Sequence, residues 1–222
     1  DNPALTAAAR SGQVVPVYIL EDQIGEAKGQ TPSGLQQTCA MGGASKLWLH
    51  YALSSLQSDL QDRLILRRGS AEQILDELID ETGAQQVTMT RCYAPHQLKT
   101  DRNIQQKLKE KGVKVTVETG NLLWEPEQIT KQDGTPYKVF TPFYRRGCLA
   151  ADPPRQPLPH ANIEFFTEKD IRSLRIEALD LKPSLNWTDE VASKWDISET
   201  GAKTALQRFI MSDHSDGLRD YA

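Results

Sequence analysis

Cysteine is scarce in this sequence, and its few copies are not arranged as a disulfide framework or a zinc site. The 222 residues include three cysteines, Cys39, Cys92 and Cys148, at wide spacings and with no C-x-x-C pair. The four histidines are scattered, and no two have the H-E-x-x-H spacing of a metalloprotease helix. We therefore expect no metal site and a protein of a reducing compartment, the cytoplasm.

Long hydrophobic runs and an excess of basic residues are also absent. No apolar stretch approaches the roughly 18 residues that a membrane-spanning helix needs, and no signal peptide opens the chain. The net charge is −4, whereas proteins that bind duplex DNA through its phosphates usually present a basic surface. We expect a globular protein with no membrane partner, in which any contact with nucleic acid is local or lies elsewhere.

Helix-like and strand-like stretches alternate through the first 118 residues. The opening DNPALTAAARSG predicts a helix that is capped by Asp1 or Asn2, has Pro3 in its first turn and ends at Gly12. Further helices are predicted at 42–63, 70–83 and 96–112, and strands at 14–20, 64–68, 85–93 and 113–118. This order predicts an α/β fold: a doubly wound, Rossmann-like parallel sheet with helices on both faces.

The helix predicted at 42–63 carries one clear apolar stripe. Leucines at i, i+4, i+7 and i+11 fall on one face and are expected to be buried there: Leu49, Leu53, Leu56 and Leu60. The polar stretch 22–41 is a long loop, a kind of segment that is often functional in compact domains. Because the chain opens on a capped helix and moves directly to a strand, a first strand is expected to precede it and to lie in the middle of the sheet.

Common nucleotide-binding and nucleophile motifs are missing. There is no G-x-G-x-x-G after a strand, no G-x-x-x-x-G-K-[ST] and no G-x-S-x-G. The stretch MGGASKLW at 41–48 has two interpretations. Its backbone amides and helix dipole suit an anion or a polar ligand edge, but glycine and Ser45 equally suit a tight, capped entry into a helix.

The carboxyl ends of the predicted strands are where ligands bind in doubly wound folds. The residues that follow those ends include Glu21, Arg68, RCYAPHQ at 91–97 and ETGNLLWEP at 118–126. We predict a ligand in the crevice at this edge, under the loop 22–41. The alternative is a structural domain whose crevice stays empty.

The stretch PYKVFTPFYRR at 136–146 interleaves aromatic and basic residues. One interpretation is a platform for single-stranded nucleic acid. The favoured one is a helix with Thr141 as its cap and Pro142 in its first turn, which closes the domain. In that case Val139, Phe140 and Phe143 pack inside, and the basic side chains reach outward: Lys138, Arg145 and Arg146.

The rest of the chain has a different character. AADPPRQPLPHAN at 150–162 is Pro-rich, EKDIRSLRIEALDL at 168–181 predicts a short helix, and PSLNWTDEVASKW at 183–195 is expected to be mostly loop. SETGAKTALQRFIMSD at 198–213 predicts a helix capped near Ser198, with an apolar face made of Ala202, Ala205, Leu206 and Phe209.

Several stretches together resemble the N-terminal domain of DNA photolyases and cryptochromes over residues 1 to about 150. They are DNPAL at 1–5, GGASKLWLHYALSSL at 42–56, NLLWEP at 121–126 and YKVFTPFYR at 137–145. SETGAKTALQRFI at 198–210 resembles the helix by which those proteins enter their flavin domain. The resemblance implies an antenna domain at 1–149 without the family's first strand, a linker at 150–196, and at 197–222 the start of an incomplete FAD-binding helical domain.

The resemblance also implies a function. A full-length photolyase repairs cyclobutane pyrimidine dimers in UV-damaged DNA by light-driven electron transfer from reduced FAD. Both FAD and DNA belong to the larger helical domain, so residues 1–222 alone are expected to be inactive and monomeric. The alternatives are a cryptochrome, which keeps the flavin for blue-light sensing, and an unrelated Rossmann-like nucleotide-binding domain.

The N-terminal domain of this family carries an antenna chromophore in many members, namely a folate, a deazaflavin or a second flavin. By resemblance, the residues at its site are Cys39, Ser45 and Lys46 near the loop, with Tyr93, Gln97 and Asp101 at the next strand end. Folate-binding members tend to have Glu at or near the position of Gln97. An amide in its place removes a charged hydrogen bond and leaves a deazaflavin or a flavin as the better candidates.

Overall fold

The computed structural model describes residues 2–21, 41–184 and 187–211, except for the side chain of His96. The predicted loop 22–41 therefore lies outside the described residues, apart from Met41. In the described part the strands are β1 (Val17–Leu20), β2 (Ile65–Arg68), β3 (Gln86–Thr90) and β4 (Lys114–Glu118). The described helices of the first 118 residues are α1 (Pro3–Ser11), α2 (Gly43–Asp59), α3 (Ala71–Thr82) and α4 (Pro95–Glu110).

The strands form two parallel pairs. β1 pairs with β2 from Val17–Ile65 to Leu20–Arg68, and β3 pairs with β4 from Gln86–Lys114 to Thr90–Glu118. A parallel pair needs a crossover connection, and here α2 lies between β1 and β2 in sequence while α4 lies between β3 and β4. The predicted α/β organisation with parallel strands is confirmed.

The chain folds as two compact units, each with one of these strand pairs. The first unit comprises residues 1–14 and 78–167, and the second comprises residues 15–77 and 168–222. In the first unit α1 packs across β3 and β4, and α4 packs on β4. The core of this unit is aliphatic and includes Ala4, Val14, Ile104, Leu108, Val113 and Ile129.

Helix α1 begins and ends where its sequence predicts. The side chain of Asn2 accepts a hydrogen bond from the backbone N–H of Leu5 at 3.0 Å, Pro3 occupies the first turn, and Gly12 ends the helix. Beyond it, Val14 forms a parallel bridge with Phe165. The segment before residue 167 is thereby tied back to the start of the first unit.

The apolar stripe on α2 is only partly as predicted. Leu53 and Leu60 are buried and Leu49 is half-buried, but Leu56 is 40% exposed at the margin of the stripe. Leu47, which points to a different side of the helix, is buried instead. The second unit covers α2 on more than one side, because its 3₁₀ turn Ile176–Leu179 packs on this helix.

The C-terminal part of the second unit contains one helix that the sequence did not reveal. The stretch 183–195 was expected to be loop, but Trp187–Lys194 forms α6, with acidic residues in its first turn and Lys194 in its last. The helix predicted within 168–181 is reduced to the 3₁₀ turn. Helix α7 (Glu199–Met211) begins as predicted, because the hydroxyl of Ser198 accepts from the N–H of Gly201 at 2.8 Å. None of its described residues is buried: Ala202, Ala205 and Leu206 of its predicted apolar face are exposed and Phe209 is half-buried.

The stretch 136–146 is helical from Phe140 onward, but the predicted packing of its apolar side chains is wrong. Val139, and not Thr141, is the N-cap of a short helix α5 (Phe140–Pro142), which continues as a π-helix (Phe143–Gly147) and a 3₁₀ turn (Cys148–Ala150). Val139 and Phe140 are 63% and 73% exposed, and Phe143 is also exposed. The helix instead turns its Gly147 side toward Ile129 and Tyr137, which leaves the aromatic side facing outward.

Gly147 allows this helix to approach the core closely. A Cβ atom built on Gly147 would lie 2.7 Å from Cγ2 of Ile129 and 3.1 Å from Cε2 of Tyr137. Both distances are shorter than normal van der Waals contacts, so any side chain would push the helix outward. No helix in the described part of the chain is long and apolar enough to cross a membrane.

We predict that Gly147→Ala lowers the free energy of unfolding by about 1–3 kcal/mol, the usual cost of overpacking a core. Urea unfolding followed by circular dichroism measures this change. Gly43→Ala is the matched control, because a Cβ there meets Pro183 and Trp187 at an ordinary 3.6 Å. Equal stability of the Gly147→Ala variant and the wild type would contradict the close contact.

Candidate functional site

The carboxyl ends of β3 and β4 meet at one edge of the first unit. Arg91, Cys92 and Tyr93 follow β3, and the segment 119–128 follows β4. The N–H of Arg91 donates to the carbonyl of Glu118 at 2.8 Å, which extends the parallel pairing by one residue. Both chain segments therefore leave the sheet side by side. In doubly wound folds, this is the edge of the sheet at which ligands bind.

Arg91 links the two segments through acidic residues beyond β4. Its guanidinium donates to Glu125 Oε2 at 2.9 Å and to Glu127 Oε1 at 2.6 Å. The hydroxyl of Tyr93 donates to the other oxygen of Glu125 at 2.7 Å, and the Arg91 guanidinium carbon lies 5.4 Å from the centroid of the Tyr93 ring. We call Arg91, Tyr93, Glu125 and Glu127 the edge network.

Electrostatics keep Arg91, Tyr93 and Glu127 each in one protonation state near neutral pH. Burial and the hydrogen bond to Glu125 raise the pKa of Tyr93 to about 12. The hydrogen bond between Arg91 and Glu127 raises the pKa of the arginine and lowers that of the glutamate. Because the pKa of Tyr93 is raised, its contribution to stability is full below pH 10.0 and is lost as the pH rises toward 12.

Helix α4 brings further predicted site residues to the same unit. Gln97 and Asp101 are four residues apart, so they lie on one face of the helix, and both are half-buried. Burial, and next to it the negative charge of Asp101, raise the pKa of the Cys92 thiol. Cys92 is therefore a neutral thiol near pH 7 and is poorly suited to act as a nucleophile.

The remaining predicted site residues belong to the second unit or fall outside the described residues. Ser45 is exposed and Lys46 is half-buried in the first turn of α2, in the second unit, where Gly42 is the N-cap. Cys39 lies outside the described residues. The first unit thus holds Tyr93, Gln97 and Asp101 on neighbouring elements, and the assignment of all six residues to one chromophore site stays a prediction.

A cleft of about 490 Å³ lies beside the edge network, between the segment after β4 and the Pro-rich segment that begins near residue 150. Several of its polar groups are used to hold these two segments in place. The indole N–H of Trp124 donates to the carbonyl of Asp152 at 2.8 Å, and the side chain of Gln128 accepts from the N–H of Glu125 at 2.7 Å. These bonds fix the conformation of the NLLWEP stretch.

Arg91 and Glu125 lie in the two stretches that the sequence predicts at the crevice, 91–97 and 118–126, but neither they nor Glu127 were singled out as site residues. The available signal was weak: a charged residue directly after a predicted strand, and an acidic pair in the stretch that carries the family resemblance. Which acid an arginine pairs with depends on strand register, and the sequence alone does not show the register.

Comparison with known proteins identifies the family. The model of the DNA photolyase family matches residues 1–161. The chain belongs to the DNA photolyase family. It is 36% identical over 216 residues to the deoxyribodipyrimidine photo-lyase of Agrobacterium fabrum, and 30% identical over 234 residues to Cryptochrome-2 of Arabidopsis thaliana.

Solved structures support the same family. A bacterial class III photolyase from Agrobacterium tumefaciens matches 94% of this photolyase-family chain with a TM-score of 0.79 and 35% sequence identity. A Synechocystis cryptochrome matches with a TM-score of 0.68 at 22% identity, which supports the fold. The predicted Rossmann-like class is thereby confirmed. The chain spans 42% of the length of the Agrobacterium photo-lyase and 35% of that of Cryptochrome-2.

We predict that Glu125→Gln lowers the pKa of Tyr93 from about 12 toward its ordinary value of 10.0, because it removes a charged acceptor. The pH titration of the tyrosine ¹³Cζ resonance measures this shift, with Tyr93→Phe assigning the signal. Glu127→Gln is the matched control, since Glu127 bonds to Arg91 and acts on Tyr93 only through its charge. Equal shifts in both variants would contradict the hydrogen bond.

Proposed function

We propose that residues 1–222 form the N-terminal light-harvesting region of a DNA photolyase whose full-length form repairs cyclobutane pyrimidine dimers. The observation that carries this proposal is the similarity to the Agrobacterium deoxyribodipyrimidine photo-lyase, which extends over 95% of the chain. Pyrimidine dimers in UV-damaged DNA are the substrate class that this relative's name implies. No residue of this chain is assigned to the flavin or to the lesion.

The edge of the first unit fits the polar rim of a flat heteroaromatic chromophore. Tyr93 supplies an aromatic ring, Gln97 an amide that both donates and accepts, and Asp101 a carboxylate, and all three are half-buried. An antenna chromophore, when bound, absorbs light and passes on the excitation energy without any change in covalent bonds. The chain's task is therefore to bind and orient it and to exclude water.

Each side chain has a distinct part in that task. Glu125 holds the Tyr93 hydroxyl, so the ring has one orientation and its donor proton is already engaged. Gln97 and Asp101 lie one helical turn apart on α4, a spacing that suits two neighbouring polar atoms of one ligand. Ser45, Lys46 and Cys39 remain candidates that rest on the family resemblance.

A blue-light-sensing cryptochrome is the second candidate function. It is favoured by the 30% identity to Arabidopsis Cryptochrome-2, a match that covers all of this chain. The two candidate functions differ in DNA repair. A photolyase splits pyrimidine dimers in DNA under light, whereas a cryptochrome binds flavin but does not repair dimers.

We predict that the full-length protein with reduced FAD repairs an oligonucleotide containing one cyclobutane thymine dimer under blue light. Recovery of absorbance at the thymine band measures repair, and the dark reaction is the control. Flavin binding without repair would favour the cryptochrome. Repair of only a (6-4) photoproduct would contradict the assigned lesion, and repair by residues 1–222 alone would contradict the assignment of this region to light harvesting.

We also predict that the full-length protein has an absorption band beyond those of FAD. Asp101→Ala and Gln97→Leu should each weaken chromophore retention by about tenfold or more, the effect of losing one hydrogen bond to a charged or polar group. Absorbance of the purified variants, normalised to FAD content, measures this. Lys99→Ala is the control, because Lys99 is exposed on the same helix. An unchanged band in both site variants would show that the chromophore site is elsewhere.

A further inference from the structure

An exposed row of large apolar side chains lies on the helix that follows β4. Val139, Phe140, Phe143 and Tyr144 are all exposed, and Phe140 exposes 73% of its surface. We call these four residues the aromatic ridge. Soluble proteins rarely expose contiguous apolar surface of this kind unless it binds something.

Contacts among its own rings and with the rest of the first unit hold the aromatic ridge in place. The rings of Phe140 and Tyr144 stack with an interplanar angle of 4° and centroids 5.9 Å apart, and Phe143 meets Tyr137 edge-on. On the other side of the helix, Gly147 is buried against Ile129 and Tyr137. The ridge is thus held in a fixed shape, which lowers the entropic cost of binding a partner.

Charged residues within the stretch that forms the aromatic ridge are of one sign. Lys138, Arg145 and Arg146 are exposed beside it, and no Asp or Glu occurs between Asp133 and Asp152. The chain as a whole carries a net charge of −4, so this basic rim is a local feature. It is complementary to a partner that has acidic residues around an apolar centre.

The composition of the ridge favours a polypeptide partner over single-stranded nucleic acid. Base stacking needs open aromatic faces, but Phe140 and Tyr144 already cover one face of each other. Val139 offers no face for stacking at all. Aromatic and aliphatic side chains at the centre with arginine at the rim are typical of protein interfaces.

The length of the relatives indicates which polypeptide this is. The chain spans 42% of the Agrobacterium photo-lyase, so more than half of that relative has no counterpart in residues 1–222. We propose that the aromatic ridge is the docking surface for the region of the same polypeptide that follows residue 222, through an apolar patch rimmed by acidic side chains. This inference rests on the proposed function, because it assumes a full-length photolyase.

Hydroxyl-radical footprinting of the full-length protein tests the proposal. Phe140 and Tyr144 should be oxidised several-fold more slowly than their exposure in the first unit implies, whereas Leu123, 70% exposed and outside the ridge, should react at the rate of a free side chain. Oxidation of Phe140 and Tyr144 at the rates of exposed side chains would overturn the proposal.

A charge substitution provides a second, independent measurement. Phe140→Glu in the full-length protein should raise the oxidation of Tyr144 and lower the melting temperature by about 1–2 °C, because the shift of about 2–4 °C for one lost contact at 150–250 residues becomes smaller in a longer chain. Leu123→Glu is the matched control and should leave both unchanged. Equal effects of the two substitutions, or none from Phe140→Glu, would contradict docking at the ridge.

Other occupants give different results and would also overturn the proposal. Protection of Phe140 that appears only at concentrations where the protein dimerises would indicate self-association. Protection that appears only with a single-stranded oligonucleotide would indicate that the ridge binds nucleic acid. In that case the protection should be lost in the triple variant Lys138→Gln, Arg145→Gln, Arg146→Gln. A repair assay on the same preparation separates the two hypotheses. If the protein repairs the dimer but Phe140 and Tyr144 are oxidised as exposed side chains, only the docking proposal is contradicted. If Phe140 and Tyr144 are protected but no dimer is repaired, only the proposed photolyase function is contradicted.

Discussion

Parallel strand pairing is the constraint on which the rest of the described structure depends. Because parallel neighbours end at the same edge, residues far apart in sequence meet there. In the first unit Tyr93, after β3, bonds to Glu125, which is 32 residues further along the chain. In the second unit Glu21, after β1, accepts a hydrogen bond from the N–H of Ala71, after β2. In both units an acidic side chain ties together the segments that leave the sheet.

The edge network shows how a partly buried acid is accommodated. The side chain of Glu125 is only 15% exposed, and an isolated carboxylate at such a site would lose hydration without compensation. Arg91 supplies the opposite charge to one oxygen and Tyr93 a hydroxyl donor to the other. The resulting bonds also hold the NLLWEP stretch against the end of β3, so the same residues serve folding and the shape of the candidate ligand edge.

The sequence predicted those features that depend on local chemistry. Asn2, Pro3 and Gly12 mark the ends of α1, and alternating strands and helices indicate parallel pairing, because such signals act within a few residues. The outward face of Phe140, the exposure of Leu56 and helix α6 were not predicted, because burial depends on which other element covers a face. Tyr93, Gln97 and Asp101 are predicted through the family resemblance, whereas the contacts of Tyr93 with Glu125 and Arg91 depend on the register of β3 on β4.

The π-helical turn at Phe143–Gly147 has a consequence for how related sequences are aligned. A π turn closes its hydrogen bonds at i+5 and so takes in one residue more than an α turn. Side chains after it are rotated relative to an uninterrupted α-helix. Gly147, the last residue of the turn, lies against the core, and Leu149, which follows the turn, is exposed. In a relative that lacks one residue here, the helix would continue without the bulge. The residues aligned with positions 147–150 would then have side chains that point in different directions in the two proteins.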